Sequence, residues 1–496
     1  METDAAMSKK LIVVYDNTAV PGEHFQDIIG DSTYADVIFE RKTFRQRIYE
    51  QLMATGCVEK IVGLDHPFYF DRVKRQINLN KNDCGILHLY SYAGVRDTVE
   101  FTELLQKLQY SINNVCYTAT NVLFYFFSDA ETYIEKMEFI YKNNLNYFPD
   151  SRKVFETVKA YCFYDFSFYS EFLKYISGGF QARYFNSLIA NEYVVTKRSS
   201  DKNKIKKEYT YYYLLPPEMQ AWCVLPFDYR EEADYASYSM ERYGVTDMAI
   251  KWVHQSINLQ EFEQFLKKAF LFITSRPKKS IEVETYRRIQ DQLYMDKVKQ
   301  RLEILKRHTR FQELEDFLTH VKEYAGIDDV FCSYYQLYEK VQARCKPIPV
   351  LSIGHGDFCF SNILYDKQTH LMRLIDPKGA LEEKDLWTDP YYDIAKLSHS
   401  ICGLYDLFNS GLFDITVNDD MSLVLNLDHS QEMQLYKAEF QKALEQNGFS
   451  YLLVRLYESS LFLSMLPLHM DNPKKVLGFL LNAINIMKEI ETEIGK

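Results

Sequence analysis

No two cysteines in the chain have the CxxC spacing of a zinc or redox site, and the nine that occur are scattered and odd in number. That excludes a disulfide framework or a structural zinc cluster and fits reduced thiols. Long apolar runs are also missing. Val122–Phe127, among the longest, falls far short of the ~20 residues a membrane helix needs. The opening residues METDAAMSKK lack a signal-peptide layout. A soluble, cytoplasmic protein without a transmembrane segment is therefore expected. Concentrated positive charge is absent as well: the formal net charge is -11. Binding along a phosphate backbone needs a basic surface, so nucleic acid is not an expected partner. The nearest basic cluster, Lys202, Lys204, Lys206 and Lys207, has Asp201 and Glu208 beside it and reads as a solvated face. No internal repeat and no low-complexity segment is present.

What the chain does contain is length, ordinary composition and many aromatic rings. Its 496 residues exceed one ordinary core and favour about two to four domains. Hydrophobic residues make up 47% and charged residues 26%, as in a soluble globular protein. The 39 Tyr and 34 Phe suit thick, partly polar cores. Residues 10 to about 150 alternate strand-like and helix-like segments. Leu11–Tyr15, Lys60–Gly63, Gly85–Tyr90 and Val122–Phe127 read as strands, and Phe44–Thr55 as a helix stopped by Gly56. Such alternation predicts an α/β layer with a mostly parallel sheet. Residues 151–177 read as a mixed helical connection. Phe180–Phe185 and Tyr193–Lys197 read as a hairpin, Ile205–Leu215 as a helix and Trp222–Phe227 as another strand. From Val245 onward the pattern is mainly helical, with Tyr286, Ile289, Leu293 and Val298 at helical spacing. Short strands and turns interrupt it at 350–376.

The chemistry concentrates in that interruption. Phosphoryl transfer needs positioned positive charge, hard oxygen ligands for magnesium and a carboxylate that orients a hydroxyl. In Ile353–Leu364, Asp357 is the candidate base, and Asn362, five residues on, is a candidate neutral metal ligand. Asp376 sits where the strand Leu371–Ile375 ends, a placement suited to holding an ion at the mouth of a cleft. Thr388-Asp389-Pro390-Tyr391-Tyr392-Asp393 then leads into a helix.

HGDFCFSN, LIDPKG and TDPYYDIAKL, in that order, resemble the HGDxxxxN, isoleucine-aspartate and DPxxDLA-like motifs of the aminoglycoside phosphotransferase and choline kinase superfamily. That superfamily is a distant relative of protein kinases. The resemblance covers about residues 175–490. It implies a bilobal protein-kinase-like fold, with Asp357 as catalytic base and Asn362 and Asp376 on magnesium. His355 and Asp393 would brace the catalytic loop. It also implies a glycine-containing hairpin over ATP, for which Gly178-Gly179-Phe180 through Phe185 is the candidate. Lys197 would be the strand lysine and Glu208 its helix partner. Trp222–Phe227 would lead into the hinge.

The start of the chain vaguely resembles a sugar-phosphate nucleotidyltransferase. The glycine-rich GxGxR-like loop of that family is missing from Asp16–Gly22, and Ser128-Asp129-Ala130-Glu131 reads better as a turn than as a metal site. The expected fold is thus α/β plus α+β. Residues 1–150 form a degenerate nucleotidyltransferase-like or Rossmann-like domain, and 151–177 connect it onward. Residues 178–244 form a kinase-like N-lobe and hinge, and 245–496 a helical C-lobe.

The activity implied is ATP- and magnesium-dependent phosphorylation of a small-molecule hydroxyl, on a sugar or amino alcohol. Phe462–His469 looks like bacterial members associated with surface polysaccharide genes, which suggests capsule synthesis. Two alternatives are weighed against this. Intact Asp357, Asn362 and Asp376 argue against a silent nucleotide-binding scaffold. The missing glycine loop argues against a bifunctional kinase/nucleotidyltransferase. A protein kinase is disfavoured, since no HRD, DFG or APE motif is evident. The motif names the reaction and not the acceptor.

Overall fold

The computed structural model describes residues 8–78, 84–143, 145, 148, 155–177, 186–190, 193–319, 325–345, 348–428 and 432–495. Two compact units divide the chain, Met1–Gly179 and Phe180–Lys496.

The first unit is built on six strands: β1 (Lys10–Asp16), β2 (Val58–Leu64), β3 (Cys84–Tyr90), β4 (Val115–Thr118), β5 (Val122–Phe127) and β6 (Glu156–Lys159), in the order β2-β1-β3-β5-β4-β6. β1 is an interior strand, apolar on both faces because each face meets its own core. Leu11 and Val13 join the core that includes helices α1 (Phe44–Ala54) and α3 (Thr98–Leu108). Ile12 and Val14 join the core with α2 (Phe70–Asn78) and α4 (Ala130–Lys142). Continuous burial of this kind is what a helix-covered strand requires.

The sheet is mostly parallel, as expected, with β5 alone reversed. β1 runs parallel to β2 and β3, but β5 is antiparallel to β3 and β4, while β6 lies parallel to β4. The reading of 151–177 as a mixed helical connection is corrected in its described part. It holds β6, a short strand Phe163–Asp165 and a helix Tyr169–Ser177, and Phe155, Phe163, Phe166 and Phe172 bury their rings. Asp129 caps α4, its Oδ1 accepting from the Thr132 amide at 2.8 Å, so Ser128–Glu131 is a helix start.

The second unit opens with an antiparallel sheet. Its strands are β7 (Asn186–Ala190), β8 (Val194–Ser199), β9 (Pro226–Glu231) and β10 (Ala236–Glu241), ordered β7-β8-β10-β9. Helix α5 (Lys202–Leu214) packs on it through Ile205. The candidate glycine hairpin, 178–185, lies outside the described residues. Trp222–Phe227 is not a strand as expected, for the strand begins at Pro226. Residues 222–224 instead bridge elsewhere: the Leu374 amide donates to the Trp222 carbonyl (2.8 Å), and the Val224 amide to the Leu374 carbonyl (3.0 Å).

After Glu241 helices dominate, including α6 (Leu259–Ser275), α7 (Pro390–Ile401), α8 (Tyr451–Met465) and α9 (Pro473–Gly495). Short strands interrupt them. β11 (Lys278–Ser280) and β15 (Trp387–Thr388) flank β12 (Val350–Ile353), and β13 (Ile363–Asp366) pairs with β14 (Leu371–Leu374). These fragments frame the loop 354–362 and deliver Asp376.

The helix Val283–Asp291 passes through a π-helical turn, Gln292–Asp296, into Lys297–Lys306. Tyr286, Gln290, Tyr294 and Val298 face inward, whereas Ile289 and Leu293 are only half-buried. Segment Phe462–Leu466 is buried, most of it within α8, so its apolar character belongs to the core.

Asp406 is buried beside Asp247, and its Oδ2 has no hydrogen-bond partner among the described residues. Burial first, then the Asp247 charge, push its carboxyl up to about 7, against a hydrogen bond from Ser400 that pulls it down. The folded protein thus keeps a proton that the unfolded chain sheds near pH 4. The resulting stability is complete below that pH and is lost as pH rises through about 7. Asp406→Asn removes this dependence. Between pH 5 and pH 8, wild type should lose about 2–3 kcal/mol more than the variant in urea unfolding. Equal pH sensitivity would contradict the assignment.

Candidate active site

Period-two alternation sets the first residue. Val195, Lys197 and Ser199 share the buried face of β8, which turns Lys197 toward α5. Its ammonium lies 2.8 Å from Glu208 Oε2 and 2.8 Å from Asp376 Oδ1. Tyr238, opposite Lys197 on β10, donates its hydroxyl to Glu208 Oε2 at 3.2 Å. Lys197 and Glu208 are each 3% exposed. Burial disfavours the ammonium, but the charges of Asp376 and Glu208 outweigh it and hold the Lys197 pKa above its usual value.

Asp376 has left-handed backbone, φ 55°. Two backbone hydrogen bonds bracket it: Ile375 N donates to Asn362 O (3.1 Å) and Lys378 N to His355 O (3.0 Å). Gly356, at φ 79°, allows this closeness, since a Cβ there would stand 2.6 Å from Lys378 Cβ. Further on, Gly379 passes so close to α5 that a Cβ would meet the Lys207 carbonyl carbon at 2.6 Å, and Ala380 N donates to Lys207 O.

Asp357 and Asn362 face each other across the loop. The Asn362 side-chain amide donates to Asp357 Oδ2 (2.9 Å) and to the Asp357 carbonyl (2.9 Å). Both N–H bonds are thereby used on the protein, and the amide oxygen is the atom left for a cation. Lys396 Nζ lies 2.9 Å from Asp357 Oδ1. Burial opposes its charge, yet Asp357 and the Tyr392 phenol outweigh this and raise its pKa. The Asp357 carboxylate is 37% exposed, so it is both oriented and reachable.

The loop hangs from Asp393. Asp389 caps α7, with Pro390 at its first position, and one turn later the buried Asp393 carboxylate meets the loop. Its Oδ2 accepts from His355 N (2.9 Å) and Arg276 (2.5 Å), and its Oδ1 from Gly356 N (2.7 Å). The His355 ring is buried, edge-on to Tyr211 and Phe358. Burial keeps it neutral by lowering its pKa.

All seven residues singled out in the sequence lie in the second unit, as two clusters joined by the bonds around Asp376. Lys197, Glu208 and Asp376 form one, and Asp357, Asn362, His355 and Asp393 the other. Sequence reasoning missed Lys396, Arg276 and Tyr238. Lys396 lies three residues after Asp393, hence on nearly the same helix face, and that spacing was its signal. Arg276, 117 residues from Asp393, left none. Asp376 and the Asn362 amide oxygen could together offer a cation a small ligand set. A set of that size would fit a hard cation held mostly by phosphates and water, not an all-protein cage. No group of three or more His, Cys, Asp or Glu that could hold a metal occurs among the described residues.

A strand lysine paired to a helix glutamate above an Asp–Asn loop, with a further aspartate after a strand, is consistent with a kinase-like fold. No family model matches the chain, and no curated protein does. Solved structures of aminoglycoside phosphotransferases are similar to it. The thermostable mutant of APH(4)-Ia in its apo form is 13% identical, covering 64% of this chain and 98% of that one, with a TM-score of 0.35. The streptomycin-ATP-APH(2")-IIa ternary complex is 15% identical over 62% and 90%, at 0.34. ADP-bound APH(2'')-Ib is 15% identical over 62% and 92%, at 0.34. What the site can do rests on its own geometry.

Removing Asp393 strands a buried guanidinium and two loop amides. Asp393→Ala should therefore destabilise by about 3–5 kcal/mol in urea unfolding, and Arg276→Ala comparably. The double variant should cost less than the two single costs together, because both singles break one pair. Strict additivity would separate the two residues.

Proposed function

We propose that this protein is an ATP- and magnesium-dependent phosphotransferase acting on a hydroxyl of a small molecule, a sugar or an amino alcohol. One observation carries the reading: Lys197 bridges Glu208 and Asp376, and backbone bonds tie Asp376 to the loop that presents Asp357. In this reading Lys197 neutralises nucleotide phosphates and Glu208 aims it. Asn362 and Asp376 hold magnesium, which supplies charge neutralisation along the phosphates. Asp357 orients the acceptor hydroxyl and takes its proton as the bond to phosphorus forms. The neighbouring Lys396 ammonium, 2.9 Å from Asp357 Oδ1, fixes how that carboxylate points. His355 and Asp393 are positioning residues that act through the loop backbone.

We take 178–244 as N-lobe and hinge and 245–496 as C-lobe. The four-stranded sheet ending at Glu241, and the helices after it, support that division. We read the first unit as a degenerate nucleotidyltransferase-like or Rossmann-like scaffold. At the end of β1, Asp16 Oδ2 meets His88 Nε2 (3.0 Å) and accepts from the Tyr141 hydroxyl (2.8 Å), while Oδ1 accepts from the Thr18 amide (2.8 Å). Satisfied in this way, Asp16 offers little to a metal. A place in surface-polysaccharide synthesis rests on the Phe462–His469 resemblance alone.

Purified protein with ATP and magnesium should release ADP in the presence of an accepted sugar or amino alcohol. Asp357→Asn should lower that rate by ~10²–10⁴-fold, the usual contribution of a positioned base, while calorimetry still detects MgATP binding. An undiminished rate would remove Asp357 from the mechanism.

A further inference from the structure

Beside the loop carrying Asp357 lies a cavity of about 220 Å³ whose walls include Tyr211, Leu293, Gly356, Lys378, Trp387 and Tyr392. The π-helical turn supplies Leu293, and such turns recur at functional sites. Tyr392 lies one turn before Lys396 on α7, so the cavity wall and the lysine that holds Asp357 share a helix face.

The aromatic walls would suit a cationic guest if their faces were open. Instead they are taken by the protein's own cations. Lys279 Nζ stands 4.2 Å from the centre of the Trp387 ring. Lys297 and Lys378 stand 5.3 and 5.9 Å from that of Tyr392, and Lys297 also donates to the Tyr392 hydroxyl at 2.9 Å. Among the described residues none of these three lysines has a carboxylate within ion-pair distance. The acidic wall residue, Asp385, accepts from the amides of Leu381 and Glu382 at 3.4 and 3.3 Å, as part of its own turn. Asp357 is matched by Lys396. Burial alone would raise the Tyr392 phenol, yet Lys297, Lys396 and Lys378 together lower its pKa, which registers the excess positive charge at this spot.

We propose that this cavity receives the acceptor, and that the acceptor carries an anionic group, a carboxylate or a phosphate, held by Lys378 and Lys297 beside Tyr392. The proposal rests on the phosphotransferase reading and narrows it. A quaternary or polycationic acceptor would meet unneutralised lysines, whereas an anion gains charge-assisted hydrogen bonds from them. The acceptor hydroxyl would then lie toward Lys396 and Asp357.

Calorimetric titration tests this on full-length protein saturated with magnesium and AMP-PNP, so that nucleotide phosphates already occupy their own site. The probes are glycerol 3-phosphate, glycerate, glycerol and choline. At least one of the two anions should bind, and which one distinguishes phosphate from carboxylate. Lys378→Ala and Lys297→Ala should each weaken that binding by at least about tenfold, the loss expected for a hydrogen bond to a charged group. Lys378→Arg should retain most of it. Choline or glycerol binding as tightly as the better anion would overturn the proposal. So would affinities unchanged in both alanine variants, or no binding of either anion. A parallel titration of wild-type protein with MgATP alone separates the two levels. If MgATP does not bind, the phosphotransferase reading fails. If it binds but the probes show no anion preference, only the present proposal fails.

Discussion

A single carboxylate without access to water, that of Asp393, sets the shape of the loop on which everything else depends. Its two oxygens hold the amides of His355 and Gly356, and Arg276 matches its charge. The Arg276 donors are themselves consumed, on Ile273, Ile353 and Pro390 carbonyls as well as on Asp393. A buried ion pair need not add net stability over an apolar substitute, but it tolerates very few geometries. Here the geometry fixed is that of a loop with left-handed backbone at Gly356, an otherwise floppy element. Asp357 is oriented because the two residues before it cannot move.

The second constraint is electrostatic and reaches across the sheet. Lys197 comes from β8, Glu208 from α5 and Asp376 from the turn after β14. Each alone would be expensive to bury. With Lys204 Nζ 3.7 Å from the other Glu208 oxygen, two positive and two negative charges balance, and Tyr238 adds a neutral donor. Asp376 also carries left-handed backbone, a conformation that costs about 1–3 kcal/mol unless its surroundings impose it. The bonds from Ile375 and Lys378 are what impose it.

Much of this was legible in the sequence because the relevant residues are close in the chain. HGDFCFSN places Asp357 and Asn362 within one loop, and Asp393 lies in a capped helix whose start is written as Asp389-Pro390. Lys197 and Glu208 were legible as a strand end followed by a helix. The sheet of the first unit was only half legible. Its apolar runs marked β1, β3 and β5 and the strand–helix alternation its mostly parallel layout, but the reversal of β5 left no mark, because apolar runs are alike in parallel and antiparallel strands. The strand expected at Trp222–Phe227 shows a related limit. Its first residues are β-prone but pair across to Leu374 far along the chain. The partnership of Arg276 with Asp393 is of the same kind. Periodicity reports which face of an element is buried and says nothing of which distant element covers it.

The distribution of charge closes the argument. The chain is acidic overall, at -11, so cations gathered without carboxylate partners are not a by-product of composition. Around Trp387 and Tyr392 they come from three separate stretches of the second unit: β11 gives Lys279 over Trp387, and the helix after the π-helical turn and the segment behind Asp376 give Lys297 and Lys378 over Tyr392. Converging charges of one sign repel. Pairing them with nearby acids would have offset this repulsion, and Asp385 lies in the cavity wall. It is engaged with its own backbone instead. Lysines gathered on two ring faces without carboxylate partners are best understood through what they bind, and an anion entering the cavity would supply the missing partner.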